Sequence, residues 1–179
     1  MDAWDVLNDL EIHDEAVKAA QSFVEEHLHQ MEFAKDSEWP IKRAQLNGLR
    51  ELAEKEPSKI ADFARHQKEK SAKSQDKDCA EAFWDCVEKL LQGRQRDWSL
   101  AKAREEARPK DWVNVAKAGK LTPEEERARR QKNEQWDKEW NREVVPAFFR
   151  TFCIEIIYQL QKRTKAEKKK PNGSKGKVK

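Results

Sequence analysis

The sequence predicts an all-α protein: a single bundle of about five to seven helices over residues 1–161, followed by a disordered basic tail, residues 162–179. Three observations carry this. Apolar residues recur at helical spacing, three and four apart, along most of the chain. Five glycines and six prolines in 179 residues are too few for the turns of a sandwich or barrel, and β-branched runs of alternating polarity are missing. Seven tryptophans supply the aromatic area for a real core, although charged residues reach 40% and apolar residues only 37%.

The elements follow in order. After a short segment around Trp4 and Leu7, a helix is expected from about Asp14 to Lys35, with Val17, Ala20, Phe23, Val24, Leu28 and Met31 as its buried stripe. "DSEWP" ends it, and Pro40 suits the first turn of the next helix. That helix and its successor form a hairpin about Pro57, with Leu46, Leu49, Leu52 and Ala53 on one stripe and Ile60, Phe63 and Ala64 on the other. A link this short implies antiparallel neighbours. Gly48 lies inside the first of the two, where it costs about 1 kcal/mol relative to alanine.

"SAKSQDKD" reads as a polar loop, and the following helix carries Cys79, Phe83, Cys86, Val87, Leu90 and Leu91 as its stripe. Apolar density then falls from Gln92 to Lys120, a solvated helix or connector anchored by Trp98 and Trp112. "LTPEEE" is a strong helix start, with Thr122 as N-cap, Pro123 at the first position and Glu125 three residues beyond the cap. Trp136 and Trp140 share a face of that helix. Pro146 is expected to begin the final helix, the central core element, with Phe149, Phe152, Ile156 and Leu160 along one side.

Charge is unevenly spread: residues 1–39 carry net −9, residues 40–74 net +4, residues 75–161 balance, and residues 162–179 carry net +8. An acidic front and a basic back suit self-association through the N-terminus, or binding of a polyanion by the basic parts. The opening "MDAWDVLNDLEIHDE" is acidic where a secretory leader would be basic. No apolar run approaches the roughly 20 residues that span a bilayer. With three cysteines in no close pair (Cys79, Cys86 and Cys153) expected as buried thiols, a cytoplasmic protein without membrane contact is expected.

Catalytic constellations are missing from the sequence. There is no phosphate-cradling glycine loop, no H-E-x-x-H, no C-x-x-C and no G-x-S-x-G, and the four histidines have no nucleophile beside them. The expectation is a protein that is not an enzyme, with no cofactor, metal or small-molecule substrate. What remains is a binding surface. The hairpin concentrates Lys42, Arg43, Arg50, Lys59, Arg65, Lys68, Lys70 and Lys73, residue types that contact phosphates and make binding salt-dependent. The same cations could instead be neutralised locally by Glu51, Glu54, Asp62 and Glu69.

Two glutamines sharpen the surface. Gln45 lies eleven residues before the turn at Glu56 and Gln67 eleven after it, so the two face each other across an antiparallel hairpin. Each also continues its helix's apolar stripe, which places both amides at the open edge of the core, where they need partners. Trp39 beside Lys42 and Arg43, and Trp98 beside Arg94 and Arg96, could stack on bases; burial in a core or interface is the commoner use of such residues.

The stretch "IKRAQLNGLRELAEKEPSKIADFARHQKEKSA", residues 41–72, resembles a pattern of the helical small-subunit-like proteins of type III CRISPR–Cas effector systems. Gln45 and Leu46 open the first helix, Leu49 follows, and Phe63, Gln67 and Lys70 occupy the second, with Lys70 standing where an arginine is expected. The resemblance implies an all-helical, non-catalytic antiviral-defence subunit that lines a guide–target RNA duplex and stacks on neighbouring subunits. It makes Arg43, Arg50, Arg65 and Lys68 candidate backbone contacts. The sequence therefore points to an RNA-binding subunit of a ribonucleoprotein, with a helical protein–protein adaptor as the alternative.

Overall fold

The computed structural model describes residues 11–29, 31–33, 35–71, 77–92, 98–109, 112 and 121–169. Among them are α1 (Ile12–Leu28), α2 (Arg43–Lys55), α3 (Ile60–Ser71), α4 (Lys77–Gln92), α5 (Leu100–Glu106), α6 (Pro123–Glu139) and α7 (Val145–Lys169). Short 3₁₀ turns cover Asp36–Glu38 and Pro57–Lys59, and a π turn, Trp140–Val144, joins α6 to α7 without a break. No strand occurs among the described residues, so the fold is all-α as the apolar periodicity requires.

The last helix is the centre. Phe148, Phe149, Phe152, Cys153, Ile156 and Leu160 of α7 are fully buried, and both α1 and α2 pack along it. α3 instead packs on α4, which also meets α1 and α5. Rings tie the two halves together. Phe63 of α3 meets Trp84 of α4 edge-on at 5.5 Å, Trp84 meets Phe83 at 4.8 Å, and Phe83 stacks on Phe152 of α7 at 6.1 Å. Phe23 of α1 closes on Phe83 at 5.5 Å. Contacts of this kind contribute about 0.5–1.5 kcal/mol each beyond the area they bury. Trp84, fully buried at this crossing, lies outside the stripe read from the sequence because α4 is covered on two sides.

Several expected boundaries move, each for a tertiary reason. α1 stops at Leu28 rather than near Lys35, and Met31 is exposed rather than buried. The Leu28 carbonyl at this end accepts from the Met31 amide at 3.1 Å and also from the guanidinium of Arg163, from α7. Pro40 does not open α2, which begins three residues later at Arg43; Pro40 and Ile41 are instead buried in the bend before it. Within the Gln92–Lys120 stretch, α5 buries Leu100 and Ala103, with Ser99 Oγ accepting from the Lys102 amide at 3.2 Å as its N-cap; residues 93–97, 110, 111 and 113–120 lie outside the described residues. The "SAKSQDKD" loop falls largely on residues 72–76, outside the described residues.

The helical rod from Pro123 to Lys169 begins as the sequence predicts. Thr122 Oγ1 accepts from the Glu125 amide at 3.3 Å, and Glu125 Oε2 accepts from the Thr122 amide at 2.9 Å. Pro146 does not start a separate helix; it sits one residue inside α7. Proline has no amide to give residue i−4 and its ring crowds that carbonyl. The chain widens just before it, with the Val145 amide reaching five residues back to the Trp140 carbonyl. Above this turn Trp136 and Trp140 are buried and stacked at 5.6 Å. Below it, α7 continues eight residues past the expected end of the folded region, to Lys169. Thr164 is buried there, so residues 162–169 belong to the fold, and only residues 170–179 of the expected tail lie outside the described residues.

Candidate nucleic-acid interface

The approach to α2 is set by one buried polar contact. Trp39 is fully buried, and its indole Nε1–H donates to Thr164 Oγ1 at 3.1 Å, while Thr164 donates to the Leu160 carbonyl at 3.0 Å. With Trp39 pinned on α7, the chain turns through Pro40 and Ile41, and Lys42 becomes the N-cap of α2. A lysine side chain cannot accept, so α2 is capped from the other direction: Gln45 Oε1 accepts from the Lys42 amide at 2.9 Å. Lys42 Nζ folds back and donates to the Ser37 carbonyl at 2.8 Å.

At the far end of the hairpin, Ser71 Oγ donates to the Gln67 carbonyl at 2.8 Å and helps close α3. Between the two ends lies a cavity of about 270 Å³. Pro40, Lys42 and Gln45 line it from the start of α2, Gln67, Lys70 and Ser71 from the end of α3, and Ala80 from α4. Gln45 and Gln67 thus do share one mouth, as their equal distance from the turn requires. They do not bond to each other: the Gln45 carbonyl is engaged by the cap, and the Gln67 amide has no hydrogen bond among the described residues.

The nine residues expected to contact nucleic acid separate into groups. Lys42, Gln45, Gln67 and Lys70 meet at the cavity. Arg43 is exposed nearby, 3.9 Å from Asp36 and with its guanidinium carbon 5.9 Å from the centre of the Trp39 ring. Arg65 is exposed and bonds Asp62 at 3.2 Å. Lys68 is half-buried and bonds Asp85 of α4 at 2.7 Å. Asp85 also meets Lys89 at 2.6 Å. The hydrogen bonds from Lys68 and Lys89 hold the Asp85 carboxyl below the usual carboxylate range, and the bond to Asp85 raises the Lys68 ammonium above its own. Arg50 points the wrong way for a ligand. Its Nε is buried, and its charge acts on the Cys153 thiol of α7, which burial pushes up to about 12. Lys73 lies outside the described residues.

Both tryptophans pack against the core, and Arg94 and Arg96 lie outside the described residues. Trp39 has no exposed surface, and Trp98 stacks on Phe148 at 5.2 Å as part of the core. Pro40, Ser71 and Ala80 are lining residues that sequence reasoning missed. Ser71 and Ala80 carry no local signal, since only the packing of α3 on α4 brings them to the mouth. A second cavity, about 380 Å³, lies where the α2–α3 turn approaches the π turn. Glu54 and Glu56 line it together with Lys55, Lys138 and Arg142, so it has no preference for one sign of charge.

All three cysteines are free and buried. Among the described residues, no helix is long and apolar enough to cross a membrane. No protein-family model, curated protein or solved structure matches the chain.

Proposed function

We propose that this chain is a non-catalytic RNA-binding subunit of a ribonucleoprotein, engaging the RNA backbone at the mouth of the α2–α3 hairpin. The observation that carries the reading is the described lining of that mouth: two lysines and two carboxamides, with no carboxylate among the described residues. Hydrogen-bond donors converging without an acid favour phosphate oxygens. Arg43 beside it extends the positive edge. The resemblance of residues 41–72 to type III CRISPR–Cas small subunits points the same way and suggests an effector complex as the setting.

The test is binding of a labelled single-stranded or duplex RNA across a salt titration, with the absorbance ratio of protein purified at low salt measured before and after ribonuclease. Binding should weaken steeply with salt, and K42E/K70E should flatten the log–log slope by roughly 2, one per lost phosphate contact. No RNA binding at low salt, alone or with partner subunits, sinks the proposal.

One observation favours the alternative, an adaptor that binds protein. Ile154 and Tyr158 stand one turn apart on α7, 50% and 55% exposed, and an exposed apolar pair is a feature a protein partner can cover. Partner capture that survives nuclease and is lost in I154D/Y158D, with no RNA in the purified protein, would select that reading.

A further inference from the structure

We infer that the cavity at the hairpin mouth is a phosphomonoester site, which takes the terminal phosphate of a strand or of a nucleotide. The strand-end form rests on the RNA-binding reading above; the nucleotide form does not.

Three features of the cavity lead to a terminal phosphate. First, the amide of Gln45 cannot flip freely. Its Oε1 is held by the Lys42 amide at 2.9 Å, so the NH₂ is the group left to serve a ligand. Second, the remaining polar groups are donors in surplus. The Gln67 amide and the Lys70 ammonium have no partner among the described residues. Lys42 Nζ gives one hydrogen to Ser37 and keeps two. The Ser71 hydroxyl has spent its hydrogen on Gln67. Third, Pro40, Ser71 and Ala80 are buried where they line the cavity, whereas Lys42 and Lys70 are exposed. The charged donors therefore stand on the solvent side, where the more highly charged end of a strand is the better match. A volume of about 270 Å³ lies just under the range of about 300–1,000 Å³ typical of drug-sized ligand sites. It suits a phosphate with its first sugar.

A terminal phosphate also presents what the lining can use. It carries about −1.5 to −2 charges near neutral pH and three strong acceptor oxygens. An internal phosphodiester offers a single charge and two free oxygens.

The experiment uses the full chain and one RNA decamer with either a phosphate or a hydroxyl at each end. Equilibrium dialysis of adenosine monophosphate against adenosine runs in parallel. The expected result is binding about tenfold tighter for a phosphorylated end, consistent with one added charge-assisted contact, and retention of the monophosphate but not of adenosine. Q67L/K70M, with its urea midpoint checked for folding, should erase the difference between ends and lower the log–log salt slope by about 1, the share of Lys70. Equal binding of all four ends with no retention of the monophosphate overturns the site and leaves the RNA reading intact. Retention of the monophosphate without strand binding upholds the site and overturns the RNA reading. Neither form binding overturns both.

Discussion

Replacing Thr164 by valine tests how the mouth of the hairpin is held in place. The substitution keeps the shape of the side chain and removes the oxygen that accepts from Trp39 Nε1 at 3.1 Å. Trp39 has no solvent exposure and Thr164 only 5%, so no water can replace the lost acceptor cheaply. A buried donor left unpaired costs about 1–3 kcal/mol. The Leu160 carbonyl, which also loses a bond from Thr164, remains inside the helix and adds little. Thr164→Val should therefore lower the urea midpoint by an amount equivalent to about 1–3 kcal/mol at unchanged m, or several degrees in melting temperature for a chain of this size. Trp39→Phe removes the donor itself and leaves a void where part of the indole packed. In that background, Thr164→Val should cost much less, giving a coupling of at least about 0.5 kcal/mol in a double-mutant cycle. A Thr164→Val cost below about 0.5 kcal/mol, or an equal cost in both backgrounds, would refute the reasoning. The same residues set the start of α2, so Thr164→Val should also weaken ligand binding at the mouth without touching a lining residue.

Other consequences of the structure can be checked independently. Gly48→Ala should stabilise the protein by up to about 1 kcal/mol, because the added Cβ meets only Phe63 Cζ at an ordinary 3.7 Å; a loss of stability would mean that backbone, not this ring, crowds the position. Phe83→Ala should cost about 3–5 kcal/mol in the same assay, since the Phe83 ring meets Phe23, Trp84 and Phe152. Asp85 has a depressed folded-state pKa, so its contribution is present above the ordinary carboxylate value and lost as pH falls through the lower folded value. Asp85→Asn should therefore destabilise by under about 1 kcal/mol at pH 7, given partial solvent screening. The gap to wild type should close as the pH is taken below about 4, and a gap that widened in acid would reverse the assignment. Finally, Thr122→Ala should speed amide exchange across the first turns of α6 while leaving the melting temperature within a degree or two. Trp136 is the first buried residue of that helix, so most of its length contributes little to global stability.

The sequence by itself determined the α class and most of the helices with their apolar faces, Met31 and Trp84 excepted. Those depend on local propensity and spacing, as at Thr122–Glu125, whose cap uses atoms three residues apart. It also determined that Gln45 and Gln67 meet, because equal helix lengths on either side of a tight turn leave their ends level. Only the tertiary structure decided where those helices stop and what their polar groups do. Where α1 ends, Arg163, 135 residues away in the chain, shares the Leu28 carbonyl with the local Met31 amide. Residues 162–169, read as tail from their composition, are held because Thr164 receives Trp39. Of the basic residues on the hairpin, Lys68 is taken by Asp85 of α4 and Arg50 turns toward α7, while Lys42 and Lys70 reach the mouth. The physical reason is common to all of these. Periodicity reports the side of a helix that is buried, but the partner of a charge or an amide is chosen by whichever distant element packs beside it.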